Sequence, residues 1–242
     1  MADSNQAFVQ AQDLALKDVY SDVTFRLDRG QVGAVFGTDG CGKTSLLLTL
    51  GGRMRFSSGS ASVGGFDVKR DYRTVRNMSG ITVISRVNDV PENLTVHDIL
   101  ASDLRLAGCK GNKKAVSAYL DEWDFASFES VRYRDLETPD RTLFGIMLAF
   151  VGDPSLVLVD DIQKDLTQFR SLVLVEKLKE LAESRNIAVL FATHEYDIAC
   201  NADGLVVMSQ KAEEQRQNAL AGRGSLLKQC PVLGTGNGVV AK

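Results

Sequence analysis

The chain has 242 residues, 44 % of them hydrophobic and 24 % charged, with a formal net charge of −3. That length accommodates one α/β domain with a smaller subdomain and excludes two large ones, and the apolar share suffices for a packed core. The mixed-sign balance lacks the clustered basic surface of a nucleic-acid binder, so no nucleic-acid partner is expected; Lys69-Arg70 and Lys113-Lys114 read as short solvated runs.

In chain order, the opening Met1-Ala2-Asp3-Ser4-Asn5-Gln6 has neither the basic nor the apolar region of a secretory signal. Val23-Thr24-Phe25-Arg26-Leu27 alternates as a strand and turns at Asp28-Arg29-Gly30. A second apolar, strand-like run (Val32, Ala34, Val35, Phe36) leads into Gly37-Thr38-Asp39-Gly40-Cys41-Gly42-Lys43-Thr44, followed by the helix-like Ser45-Leu46-Leu47-Leu48-Thr49-Leu50. This is the G-x-x-x-x-G-K-[ST] phosphate-binding pattern in its strand–loop–helix setting. Glycines let the backbone curl so that successive N–H groups face one anion, and the helix start adds unpaired donors and a positive dipole end. Lys43 would reach the β- and γ-phosphates of ATP, and the Thr44 hydroxyl would hold Mg²⁺.

Ser57-Ser58-Gly59-Ser60 reads as a loop, 61–63 as a short strand with a turn at Gly64-Gly65, and Ile81-Thr82-Val83-Ile84-Ser85 as a further strand. Thr95 is placed to cap a helix through His97, Ile99, Leu100 and Leu104, and 115–123 carries Val116, Tyr119, Leu120 and Trp123 at helical spacing. These two helices suggest a small helical subdomain over roughly residues 87–140. Leu143, Phe144, Met147, Leu148 and Val151 form a buried-type helix that stops at Gly152-Asp153-Pro154. The continuous apolar runs 156–159, 188–192 and 205–208, with a long helix over 169–183, argue for a mostly parallel sheet covered on both faces.

Two of those runs end in candidate site residues. Asp160-Asp161 closes the first: a carboxylate at a strand's C-terminal end beside a phosphate loop is placed to hold Mg²⁺, and the second acid to orient or deprotonate attacking water. His194 follows the second run and is placed to meet a γ-phosphate or the water; His97, within a helix next to Asp98, reads as structural or surface. Cys41, Cys109, Cys200 and Cys230 show no metal-ligand spacing. From Lys211 the chain is polar, then glycine-rich; Gly234-Thr235-Gly236-Asn237-Gly238 lacks the preceding strand that a dinucleotide fingerprint needs.

Taken together, residues 14–210 resemble the ATP-binding cassette (ABC) ATPases that power membrane transporters. Residues 37–44 match that family's Walker A motif, 156–160 its Walker B, and Thr193-His194 its switch histidine; Gly59, Gly65 and Leu94-Thr95-Val96 also fit the family's spacing. The wording of 37–50 and 94–100 is most like bacterial exporter and eukaryotic half-transporter cassettes. The resemblance implies an α/β P-loop cassette fold: a mostly parallel sheet flanked by helices, with an antiparallel region and the helical subdomain, over 1–210, followed by a C-terminal tail over 211–242. It implies MgATP held by Gly37 to Ser45 (Gly37, Thr38, Asp39, Gly40, Cys41, Gly42, Lys43, Thr44, Ser45), with Thr44 and Asp160 on the metal and Lys43, Asp161 and His194 in catalysis. Tyr20 is the best candidate to stack on adenine. The implied partners are a transmembrane permease and a second cassette, identical or different, at the cytoplasmic face of a membrane.

The departures from the family pattern matter as much. The glutamine that touches Mg²⁺ and the permease falls at Arg86, and arginine cannot ligate a cation. The LSGGQ signature, which donates to the γ-phosphate of the other subunit's site, falls at Leu136-Glu137-Thr138-Pro139-Asp140, where Glu137 brings negative charge and Pro139 has no N–H. Thr138 and Pro139 suit the cap and first residue of the following helix. The usual catalytic glutamate is Asp161, followed by Ile162 instead of proline, and Thr167 stands at the D-loop aspartate. An ATP-hydrolysing transporter subunit and an ATP-gated subunit with little turnover both fit these residues. A DNA-repair cassette does not, for want of a coiled-coil insertion, nor does a GTPase, since Asn112-Lys113-Lys114-Ala115 lacks the base-reading acid.

Overall fold

The computed structural model of the chain describes residues 7–208 and 232–238. Among these, ten strands make one mixed sheet. β1 (Val9–Leu16) and β2 (Tyr20–Leu27) form an antiparallel hairpin extended by β4 (Ser58–Val63) and β5 (Phe66–Asp67). β3 (Val32–Phe36), β6 (Ser79–Ile81), β7 (Leu156–Val159), β8 (Ala188–Thr193) and β9 (Gly204–Val207) run parallel, and β10 (Val232–Gly238) completes the sheet. The order is β5-β4-β1-β2-β10-β9-β3-β8-β7-β6.

Apart from Ser79 of β6 and Thr193 at the end of β8, the side chains of the parallel strands are apolar, because each has a core to enter. In β7, Val157 and Val159 point into one core and Leu156 and Leu158 into the other; β8 splits likewise, Val189 and Phe191 against Ala188, Leu190 and Ala192. The first core is roofed by α3 (Val96–Leu106), α4 (Lys113–Glu122), α5 (Thr138–Ala149), α6 (Gln168–Arg185) and α7 (Tyr196–Ala199). The second lies beneath α1 (Lys43–Leu50) and the antiparallel strands, joined by Val75 of α2 (Tyr72–Asn77). Helix starts follow side-chain chemistry: Thr95, Asn112 and Thr167 each accept a first-turn backbone N–H, from Asp98, Ala115 and Arg170. No helix among the described residues is long and apolar enough to cross a membrane.

The structure departs from the sequence expectations in four places. Ser58-Gly59-Ser60 is a strand, not a loop: it pairs with β1, and Gly59 at φ 84° presses so closely on the Asp13 carbonyl that a Cβ there would lie 2.2 Å from that oxygen. The strand expected over 81–85 ends at Ile81, because β7 offers it only Leu156 to Leu158 as partners. The cap of α5 is Glu137, which makes no side-chain capping bond; Thr138 and Pro139 occupy the first turn. Finally, residues 232–238 are no appended tail. β10 lies between β2, to which it is antiparallel, and β9, to which it is parallel, and so joins the two halves of the sheet. Gly234 lies so close to Thr24 that a Cβ would sit 1.7 Å from the Thr24 carbonyl oxygen, which explains a glycine-rich strand there. The stretch 211–231 lies outside the described residues.

Candidate nucleotide site

β3, β7 and β8 are parallel neighbours, so their C-terminal ends open on one edge of the sheet, and the candidate residues gather there. The loop after β3 is tied down at its start, where Gly37 N–H donates to the Thr193 carbonyl at 3.2 Å. Gly42 has φ 93° and lies against Val19, a position with no room for a side chain. It also caps α1 with no side-chain bond, leaving the first-turn N–H groups facing the loop as an anion would require. The Lys43 ammonium curls back over the loop, donating to the Gly37 carbonyl at 2.8 Å and the Thr38 carbonyl at 3.0 Å, and it pairs with Asp39 at 3.8 Å. A tetrahedral anion in the loop would replace those carbonyls as the lysine's partner.

The Thr44 hydroxyl, one residue on, donates to the Asp160 carboxylate, 2.9 and 3.0 Å from its two oxygens. This single contact closes 116 residues of sequence. Asp160 is held in turn by its own N–H, which donates to the Thr82 hydroxyl at 3.0 Å. Burial pushes the Asp160 carboxyl above its ordinary value; the Thr44 hydrogen bond opposes that and the Asp161 charge adds to it. Asp161 follows in the left-handed region at φ 48°, its carboxyl also raised by burial while His194 and Lys43 pull it down. His194 sits at the end of β8, with Nδ1 2.5 Å from Gln163 Nε2 and 3.9 Å from Asp39 Oδ1.

Because the folded state holds the Asp160 proton more tightly than the unfolded chain, stability falls as pH rises from the unfolded value through the raised folded one. Asp160→Asn in chelator, without nucleotide, is therefore expected to raise the thermal midpoint at neutral pH. The gain should vanish near pH 4, at about the unfolded carboxyl pKa. Thermal melts of both proteins at the two pH values check this.

Tyr20 does not belong to the site. Its ring is 1 % exposed and its hydroxyl donates to Thr49 Oγ1 at 2.9 Å, so it packs under α1 and cannot stack on a base. The hairpin turn facing the loop offers Lys17, Asp18 and Val19 instead, with no aromatic ring. Arg86 is exposed at φ 66° in a turn pinned by Asp89. A cleft lined by Thr82, Asp89, Thr138, Arg141, Gly145 and Asp160 runs from this turn to the start of α5. Sequence reading missed Thr82 and Gln163; a polar residue inside an apolar run was the one hint for Thr82, and nothing pointed to Gln163.

The model of the family described as "ABC transporter" matches residues 20–164, more than half of the chain. The chain belongs to that family. It is 28 % identical over 229 residues to the methionine import ATP-binding protein MetN of Chlamydia pneumoniae, a match over 89 % of this cassette and 67 % of the relative. It is 27 % identical to the phosphonates import ATP-binding protein PhnC of Hyphomonas neptunium (78 % and 76 % covered) and 26 % identical to the energy-coupling factor transporter ATP-binding protein EcfA of Enterococcus faecium (81 % and 71 %). These relatives are named for import or energy coupling, not for export. Against a second MetN, from Paraburkholderia xenovorans, the chain spans 51 % of the relative's length. Solved cassettes share the fold: cbiO1 from Clostridium perfringens, part of the ABC transporter complex cbiONQ, superimposes with a TM-score of 0.71 at 17 % identity over 90 % of this chain and 97 % of its own. The ATP-binding cassette MJ0796, dimeric and bound to ADP and Pi, gives 0.70 at 15 % over 83 % and 94 %.

Proposed function

We propose that this cassette binds MgATP on the edge formed by β3, β7 and β8 and uses it to drive a separate membrane permease, as a dimer with a second cassette. The observation that carries the reading is the Thr44–Asp160 hydrogen bond, which brings the phosphate loop and the strand-end acid to one point. That pair is an all-oxygen donor set with too few ligands for a cage, and no described cluster of three His, Cys, Asp or Glu could hold a metal. It suits Mg²⁺, whose remaining ligands are phosphates and water. When bound, Mg²⁺ neutralises charge on the β- and γ-phosphates.

The chain's own groups do the rest. Lys43 leaves the Gly37 and Thr38 carbonyls for phosphate oxygens, and the loop N–H groups from Thr38 to Ser45 hold the anion. Asp161 orients the attacking water and accepts its proton; a carboxyl raised by burial is the better base for it. His194 donates to the γ-phosphate. The helices within residues 87–140 form the subdomain that turns toward the permease, at the cytoplasmic face of the membrane. The import and energy-coupling names of the relatives support a transport role, with substrate and direction set by the permease.

The signature segment weakens one half of this machine. In a cassette dimer each site pairs the Walker motifs of one subunit with the signature of the other. Copies of this chain alone would meet Glu137 and Pro139 at both sites, whereas a partner with an intact signature would complete this chain's site and leave the opposite one slow. A mainly ATP-gated role is the second reading, favoured by the acid at Glu137. Mutating Asp161→Asn in the purified complex decides: a fast heterodimer should lose most of its turnover. A fast complex made only of this chain, or a heterodimer that keeps its rate, overturns the asymmetric assignment.

A further inference from the structure

Two polar groups compete for the Nδ1 atom of His194. The Gln163 amide nitrogen lies 2.5 Å away and the Asp39 carboxylate 3.9 Å away. The first is a donor and the second an acceptor, so they demand opposite proton positions on the ring. We propose that Gln163 is the positioning residue of His194: its amide donates to Nδ1, fixes the proton on Nε2, and turns an N–H donor toward the γ-phosphate. The proposal rests on the reading of His194 as a nucleotide-site residue.

Gln163 is placed for this by backbone bonds that do not involve its side chain. Ile162 N–H donates to the Ala192 carbonyl of β8 at 3.1 Å, tying the turn after Asp161 to the strand that delivers His194. Lys164 N–H returns to the Asp161 carbonyl at 2.9 Å and Leu166 N–H to the Gln163 carbonyl at 3.0 Å, so the turn is closed on both sides of the glutamine. The side chain is 8 % exposed. Its Oε1 is buried without a hydrogen-bond partner, a cost that an apolar residue of the same size would not carry. Turning the amide over would leave an NH₂ group with two N–H donors buried without a partner in place of one carbonyl oxygen. Among the described residues the amide thus has one polar partner, the imidazole, and that contact is what the buried glutamine provides. Asp39, 89 % exposed at the rim of the phosphate loop, is the group that would claim Nδ1 in its absence.

The test reads the proton directly. The chain has only two histidines, and His97 lies on α3 away from the site, so His97→Gln leaves a single imidazole signal. In ¹⁵N-histidine-labelled full-length protein at about pH 9, above the usual histidine range, the expected form is Nε2–H. Gln163→Met should shift the signal toward Nδ1–H, and Asp39→Asn should leave it as Nε2–H. The same Gln163→Met protein should bind ATP about fivefold more weakly, the worth of one lost hydrogen bond, while its ADP affinity is unchanged because the γ-phosphate is missing. An Nδ1–H signal in the parent, a signal that Asp39→Asn moves, or one that Gln163→Met leaves in place overturns the proposal. If the buried Gln163→Met fails to fold, Gln163→Glu takes its place: a carboxylate there accepts from Nδ1–H and should move the signal to that form, and a signal it leaves as Nε2–H overturns the proposal. If the tautomers behave as expected and neither nucleotide binds, it is the nucleotide-site reading that falls and the Gln163 contact stands.

Discussion

ATP with Mg²⁺ should raise the thermal midpoint of the protein by about 5–10 °C at roughly a hundredfold excess over the dissociation constant, and Lys43→Ala should abolish nearly all of that rise. Ligand held only by the folded state adds about 2.7 kcal/mol at that excess, and each kcal/mol moves the midpoint of a domain this size by roughly 2–4 °C. Lys43 is the one full positive charge inside the loop, and its present partners are two neutral carbonyls, the exposed Asp39 aside. Exchanging those for anionic phosphate oxygens turns contacts between a charge and a dipole into contacts between opposite charges. Truncation removes that gain while costing the unliganded fold little. Melting curves across an ATP titration check it, and an equal shift in wild type and Lys43→Ala would remove the nucleotide site as drawn.

Turnover by the chain alone should be slow, and rebuilding the signature should raise it about a hundredfold or more. One correctly placed donor to a developing negative charge is commonly worth about 3 kcal/mol in rate. The wild-type segment lacks such donors at Glu137 and Pro139 and adds an acid. Asp140 stands three residues from Glu137, its carboxyl raised by burial first and by the Glu137 charge second, with Arg170 opposing, so an incoming phosphate would meet two acids where the signature has none. The repair is Glu137→Ser, Thr138→Gly, Pro139→Gly and Asp140→Gln together. The frame should survive it, because Arg141 holds the segment from outside those four positions, donating to the Leu136 carbonyl at 3.0 Å and to the Arg134 carbonyl. Steady-state phosphate release from both proteins at equal dimer concentration is the measurement. A wild type already as fast as the repaired form would show that the acidic segment is no barrier.

What could be read without coordinates follows from how local each signal is. The phosphate loop lies within eight consecutive residues, and its chemistry is carried by the backbone, so glycine spacing and one lysine suffice. β7, β8 and β9 betray themselves as apolar runs because both faces are covered, whereas the short β6, Ser79-Gly80-Ile81, carries no such run. The caps Thr95 and Thr167 act on backbone N–H groups within their own helix turn, although only the first stood out by pattern. Tyr20 misled because an aromatic near a phosphate loop looks the same in sequence whether it faces solvent or the underside of α1. Simple alternation would place Tyr20 opposite Val23, Phe25 and Leu27; the irregularity at Asp22, φ 58°, turns its ring into the same core as theirs.

The sequence by itself determined the phosphate loop, the two strand-end acids, the histidine and the family they resemble, since each is a short run whose residue types have few other uses. Only the tertiary structure decided that β10 joins the two halves of the sheet, that Thr82 supports Asp160, and that Gln163 faces His194. Those pairings span 210, 78 and 31 residues of chain or thereabouts. Across such separations no periodicity survives, and proximity is set by which strands lie side by side.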